Sequence, residues 1–79
     1  MNNQDRLDAL LSTLNATDVG TLDSVISKLE QVGRELEELQ QAELASRAGE
    51  AVEALKRADL SEFKRLRAFL QSKIGHLRS

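Results

Sequence analysis

Leu7, Leu10, Leu11 and Leu14 recur at i, i+3, i+4 and i+7, one stripe of a helix, and predict a short first helix over about 4–14. Asn3 or Asp5 is placed to cap it, because a short polar side chain there accepts a hydrogen bond from a free backbone N–H. The run Asn15-Ala16-Thr17-Asp18-Val19-Gly20 is rich in turn residues, ends in glycine, and reads as a loop. Thr21 then suits the N-cap of a second helix, with Asp23 in the first turn facing the positive end of the helix dipole. Asp18 is the competing cap.

The second helix carries the clearest pattern. Leu22, Leu29 and Leu36 fall seven apart, and Val25, Val32 and Leu39 interleave at the same interval. This alternating seam has the register of coiled-coil-like packing and predicts that all six residues are buried on one face. Ile26 and Gly33 flank and widen the stripe. Glu30–Arg34 and Glu43–Arg47 are spaced as acid-first i,i+4 pairs on a solvated face, each worth ~0.3–0.5 kcal/mol.

After Leu39 the register slips. The next large apolar residue is Leu44, and the stripe resumes through Ala48, Ala51 or Val52, and Leu55, on a face turned by roughly 80° from the earlier one. Two readings stay open: one helix from Thr21 to about Arg57, or two helices over the same span. A continuous helix would be about 55 Å long, more than the remaining short helices can cover. A bend or break near Ser46–Gly49 is the preferred reading, although one glycine costs a helix only ~1 kcal/mol and does not compel it.

Ala58-Asp59 marks the end of that segment. Asp59, followed three residues later by Glu62, resembles a capping box with Asp in place of Ser or Thr. Phe63, Leu66, Leu70, Ile74 and Leu77 then repeat at helical spacing and predict a last helix over about 60–77, with Phe69 on the flank of the stripe. With Leu60 and Phe69 included, the apolar arc spans roughly half the circumference, wider than one neighbouring helix covers. The two segments joined at Ala58-Asp59 resemble one helix–turn–helix hairpin of the tetratricopeptide kind, without a complete repeat. The fold class that follows is all-α: a small antiparallel helical bundle of three main helices with a break or kink near 46–60, in a single domain over residues 1–79.

Composition narrows the function more than it names it. Phe63 and Phe69 are the only aromatics and proline is absent, which argues against a β-sandwich or a Pro-rich disordered segment. Without cysteine there is neither a disulfide nor a thiolate metal site, so a 79-residue domain depends on apolar packing or self-association. Residues 1–8 hold two acids and an arginine with no apolar run, unlike a secretory signal. No window approaches the ~18 uninterrupted apolar residues of a membrane span, and the expected address is cytoplasmic.

Candidate chemistry is sparse. Nucleophilic catalysis needs a nucleophile beside an oriented base, yet the single histidine, His76, lies near the end, and none of the seven serines sits in a Gly-rich elbow. His76 fits an exposed position in the last turn better than a catalytic or phosphate-carrying one. No glutamate precedes His76 by three, where a di-iron bundle would place it; Lys73 stands there. Glu35, Glu37 and Glu38 form an acidic cluster, but adjacent glutamates project about 100° apart, and the alternating carboxylates of a calcium loop are missing. No catalytic residue, cofactor or metal is expected, and the chain is not read as an enzyme.

Charge is distributed unevenly. Met1 to Leu55 holds four bases and eleven acids, a balance of −7, whereas Lys56 to Ser79 holds seven bases and two acids, a balance of +5. An acidic body with a basic last helix favours antiparallel packing of the two, or association between copies. The expected function is protein–protein interaction by a small adaptor, regulator or assembly factor, self-associating as a homodimer. Its interface centres on Phe69, with Leu66 beside it and Lys73 and Arg67 as a basic rim facing acids such as Glu35 or Glu38 of another copy. The alternative is a nucleic-acid-binding regulator using the basic last helix, which the net charge of −2 and the lack of stacking aromatics disfavour. Membrane-surface binding lacks the Trp or Lys-rich face it prefers.

Overall fold

The computed structural model describes residues 3–18 and 20–78. Four helices follow one another: α1 (Asn3–Asn15), α2 (Leu22–Glu38), α3 (Ala42–Lys56) and α4 (Leu60–Arg78), with a single 3-10 turn at Ala16–Asp18 after α1. No strand occurs among the described residues. The class is therefore all-α, with four helices in place of three. α1 already contains Asn3 and Asp5, so neither caps it from outside, and the residue before Asn3 lies outside the described residues.

Each boundary has a local cause. Thr21 caps α2, its Oγ1 accepting from the Ser24 backbone N–H at 3.1 Å, while Gly20 takes a positive φ of 102° on the way in. Asp59 caps α4, its Oδ1 accepting from the Glu62 N–H at 3.1 Å. Glu62 does not complete the capping box, because its carboxylate turns forward to Arg65 instead.

The break expected at Ser46–Gly49 falls earlier, at 39–41. There Gln40 adopts a left-handed φ of 62°, and the Gln41 N–H donates to the Leu36 carbonyl at 2.8 Å, satisfying a carbonyl that the ending helix leaves free. The same turn closes α3: Ala58 has φ 61°, and the Asp59 N–H donates to the Ala54 carbonyl at 2.8 Å. The five-residue step from Leu39 to Leu44 is thus a hairpin turn. Gly49 sits inside α3, and a Cβ added there meets nothing within 4 Å.

The helices alternate in direction and form a ring, α1 packing on α2 and α4, and α3 lying between α2 and α4. Polar pairs fix the direction of α1. Its start meets the ends of α2 and α4 through Arg6–Glu38 at 3.1 Å and Gln4 Nε2 to the Arg78 carbonyl at 2.9 Å. Its end meets the middle of α4, where Gln71 Nε2 donates to Asn15 Oδ1 at 2.9 Å.

Leu10, Leu14, Leu29, Val32, Leu36, Leu70 and Ile74 are fully enclosed in one core. α3 contributes mostly small residues to it, Ala45, Ala48, Ala51 and Ala54, which lets this helix sit close against α2 and α4. Gly33 of α2 faces Ala48 at the same approach, where a Cβ would stand 3.6 Å from the Ala48 Cβ. The α2 seam holds at Val25, Leu29, Val32 and Leu36, but Leu39 is half-buried and Leu22 is 53% exposed, since these two close the ends of the seam. The α4 stripe holds from Phe63 to Ile74, while Leu60 and Leu77, in its first and last turns, are 57% and 43% exposed. Neither i,i+4 pair forms: Arg47 turns forward to Glu50 at 3.0 Å, and among the described residues Glu30 and Arg34 form no ion pair.

Candidate interaction surface

The Phe69-centred site lands on the outer side of the α3/α4 hairpin. Helical spacing places Glu62, Leu66, Phe69 and Lys73 along the α4 edge that faces α3. The three-residue turn at 57–59 sets the register of the two helices, so that residues whose numbers sum to about 116 stand side by side. Arg47 of α3 and Phe69 of α4 are such a pair, the guanidinium carbon 5.8 Å from the ring centroid. Lys73 Nζ approaches the same ring at 5.6 Å. Phe69 therefore has partners within one chain: it packs against the core, and two cations stand over its ring, leaving it half-buried.

Depressions open one turn to either side of that ring. Towards the 57–59 turn, Ser46, Gly49, Glu50, Arg57, Glu62 and Leu66 line a cavity of about 400 Å³. Towards the other end, Glu43, Leu44, Lys73, His76 and Leu77 line one of about 250 Å³, and Gln41 and Leu77 continue from it into a smaller hollow against Leu7 and Leu39. Two separate depressions thus flank the half-buried Phe69 ring along the α3/α4 face, and the ring itself lines neither of them.

The four expected interface residues separate in the structure. Phe69 and Lys73 stand together as anticipated. Leu66 is 2% exposed and forms the floor of a depression, part of the core more than of the surface. Arg67 lies on the opposite flank of α4, its guanidinium carbon 5.3 Å from the Phe63 centroid and its Nη1 donating to Thr17 Oγ1 at 3.4 Å, so it is not a rim residue of Phe69. At two positions along one helix edge, 100° per residue separates Arg67 from Phe69 by 200°. Arg47 takes the place assigned to Arg67. It was hidden in the sequence because its role depends on the α3/α4 register, which only the turn at 57–59 defines.

Electrostatics along this face are those of exposed groups. Arg65 holds the Glu62 carboxyl below its ordinary range, first through the side-chain hydrogen bond and then through its charge. Glu35, Glu37 and Glu38 are not gathered: Glu38 pairs with Arg6 of α1, and Glu37 lines the separate α2/α3 groove with Glu30, Gly33 and Val52. Among the described residues no group of three or more His, Cys, Asp or Glu is arranged to hold a metal ion. No helix among them is long and apolar enough to cross a membrane. Comparison with family models, with curated proteins and with solved structures returns no match.

Proposed function

We propose that this chain is a small, non-enzymatic, cytoplasmic protein–protein interaction module that docks its α3/α4 face on a helical partner. The observation that carries this reading is the cluster at the middle of that face: a half-buried phenylalanine clasped by Arg47 and Lys73, with a separate open depression on either side. Interfaces draw their affinity from a few aromatic and arginine anchors inside a polar rim, and the face supplies both.

The nucleic-acid alternative loses support from the way the bases are used. Lys56, Arg65 and Arg78 pair with Glu53, Glu62 and Asp8, while Arg67 and Lys73 lie over the two phenyl rings. A phosphate-binding face needs such cations collected on one side and directed outward.

The experiment is a capture assay with immobilised wild-type chain and its Phe69→Asp variant, followed by salt elution. The reading expects a protein, retained at high salt by wild type and lost on Phe69→Asp. Recovery of nucleic acid instead, released steeply as salt rises and held equally by both baits, contradicts it.

A further inference from the structure

We propose that α1 is an exchangeable helix. The trough it fills between α2 and α4 is a binding site for an amphipathic helix of another protein, with leucines at i, i+3 and i+7. This site lies apart from the α3/α4 face and does not depend on the reading given for that face.

α2 and α4 stand apart, with α3 between them on one side and α1 on the other. The two sides are built differently. α3 is tied in at both ends by short turns, in which the Gln41 and Asp59 N–H groups donate to the Leu36 and Ala54 carbonyls. Its alanines, with Gly33 opposite Ala48, seat it closely against its neighbours. α1 is joined to α2 by the longer segment 16–21, and its seat has the plan of an interface between molecules, a few apolar anchors inside a polar rim. Leu7, Leu10 and Leu14 are the anchors, the last two fully enclosed. Along α4 the rim is Gln4 on the Arg78 carbonyl, Arg78 Nη1 on Asp8 at 2.8 Å, and Gln71 on Asn15. Along α2 it is Arg6 on Glu38, and Lys28 Nζ on the Ala16 carbonyl at 3.3 Å.

α1 itself shows what the trough accepts. Glu38 selects an arginine just before the first leucine, and Arg78 selects an acid just after it, as in Arg6-Leu7-Asp8. Both ion pairs are partly exposed, and such pairs do little to hold a helix down. With 13 residues, α1 is too short to persist as a helix once it leaves, so undocking and unfolding are one step. An incoming helix of the same pattern replaces the three anchors and both rim charges.

Native-state hydrogen exchange on the wild-type chain reads the opening. The amides of Leu10, Leu11 and Leu14 are expected to share one opening, at least about tenfold more frequent than that of the Leu29 and Leu70 amides. One common rate for all five would mean that α1 opens only with the whole molecule, and would overturn the proposal. Rates graded along α1, as in simple fraying, would do so as well. A synthetic peptide of residues 3–18 probes the trough in trans. The tethered α1 competes at an effective concentration of roughly millimolar order, so wild type is expected to bind the peptide with a dissociation constant in that range. Leu10→Ala loosens α1 in its seat, and this chain is expected to bind the unaltered peptide at least about tenfold more tightly. Equal affinity for the two chains would place the peptide elsewhere and contradict the proposal. Should Leu10→Ala leave the chain unfolded, the peptide is expected to restore its helicity, and failure to do so counts equally against the exchange.

Discussion

At the scale of single residues, two positions carry backbone conformations their side chains disfavour. Gln40 and Ala58 sit at φ near +60°, a region that costs an L-residue roughly 1–2 kcal/mol and glycine nothing. Part of that gain is lost to the freer unfolded chain, so Ala58→Gly is expected to raise stability by about 0.5–1 kcal/mol. Gly49 presents the converse case: it is helical, exposed and without a neighbour within 4 Å of a Cβ, so Gly49→Ala is expected to stabilise by about 0.8–1 kcal/mol. Denaturant midpoints check both, and a loss of stability in either variant would show that the local backbone account is wrong. In the core, Leu29→Ala or Leu36→Ala is expected to cost roughly 2–5 kcal/mol, since both side chains are fully enclosed. A cost below about 1 kcal/mol at both sites would mean that the core relaxes around the void, against the close packing of interiors.

At the scale of elements, helix identity was legible and helix ends only partly so. Apolar spacing located α1, α2 and α4 because each has one partner-facing stripe of bulky residues, from Leu7 to Leu14, Val25 to Leu36 and Phe63 to Ile74. Thr21 and Asp59 were legible as caps for the same reason, being short polar side chains just before a stripe. α3 was harder. Its buried positions are mainly alanines, whose spacing carries little contrast, and its boundary with α2 uses Gln40 where glycine or asparagine would have signalled a turn. The phase slip after Leu39 was the only mark of that hairpin, and its position was more informative than Gly49. The caps should be energetically visible: Asp59→Ala is expected to destabilise by about 1 kcal/mol by freeing the Glu62 N–H at the start of α4. A midpoint unchanged by Asp59→Ala would mean that water replaces the cap without loss.

At the scale of the whole molecule, the sequence pointed to a surplus apolar arc on α4 and to Phe69 at its edge. Two helices flank α4 in the ring, and they account for much of that arc. What remains is a face on which Phe69 is half-buried, and its cations come from α3 and α4 together. Lys73 was legible because it lies one turn from Phe69 on the same helix. Arg47 was not, because it is brought there by the turn at 57–59. The imbalance between an acidic body and a basic last helix does not sort into oppositely charged walls on this face: Glu43 and Lys73 line the depression at one end, whereas Glu50, Glu53 and Glu62 gather with Arg57 at the other. The central claim, proposed above, is that this face holds a protein partner. Capture by immobilised wild-type chain and Phe69→Asp, each with its circular dichroism spectrum, tests it most directly: the account predicts a protein retained at high salt by wild type and lost on a variant of equal helicity, whereas equal retention by both, or none by wild type, would contradict it.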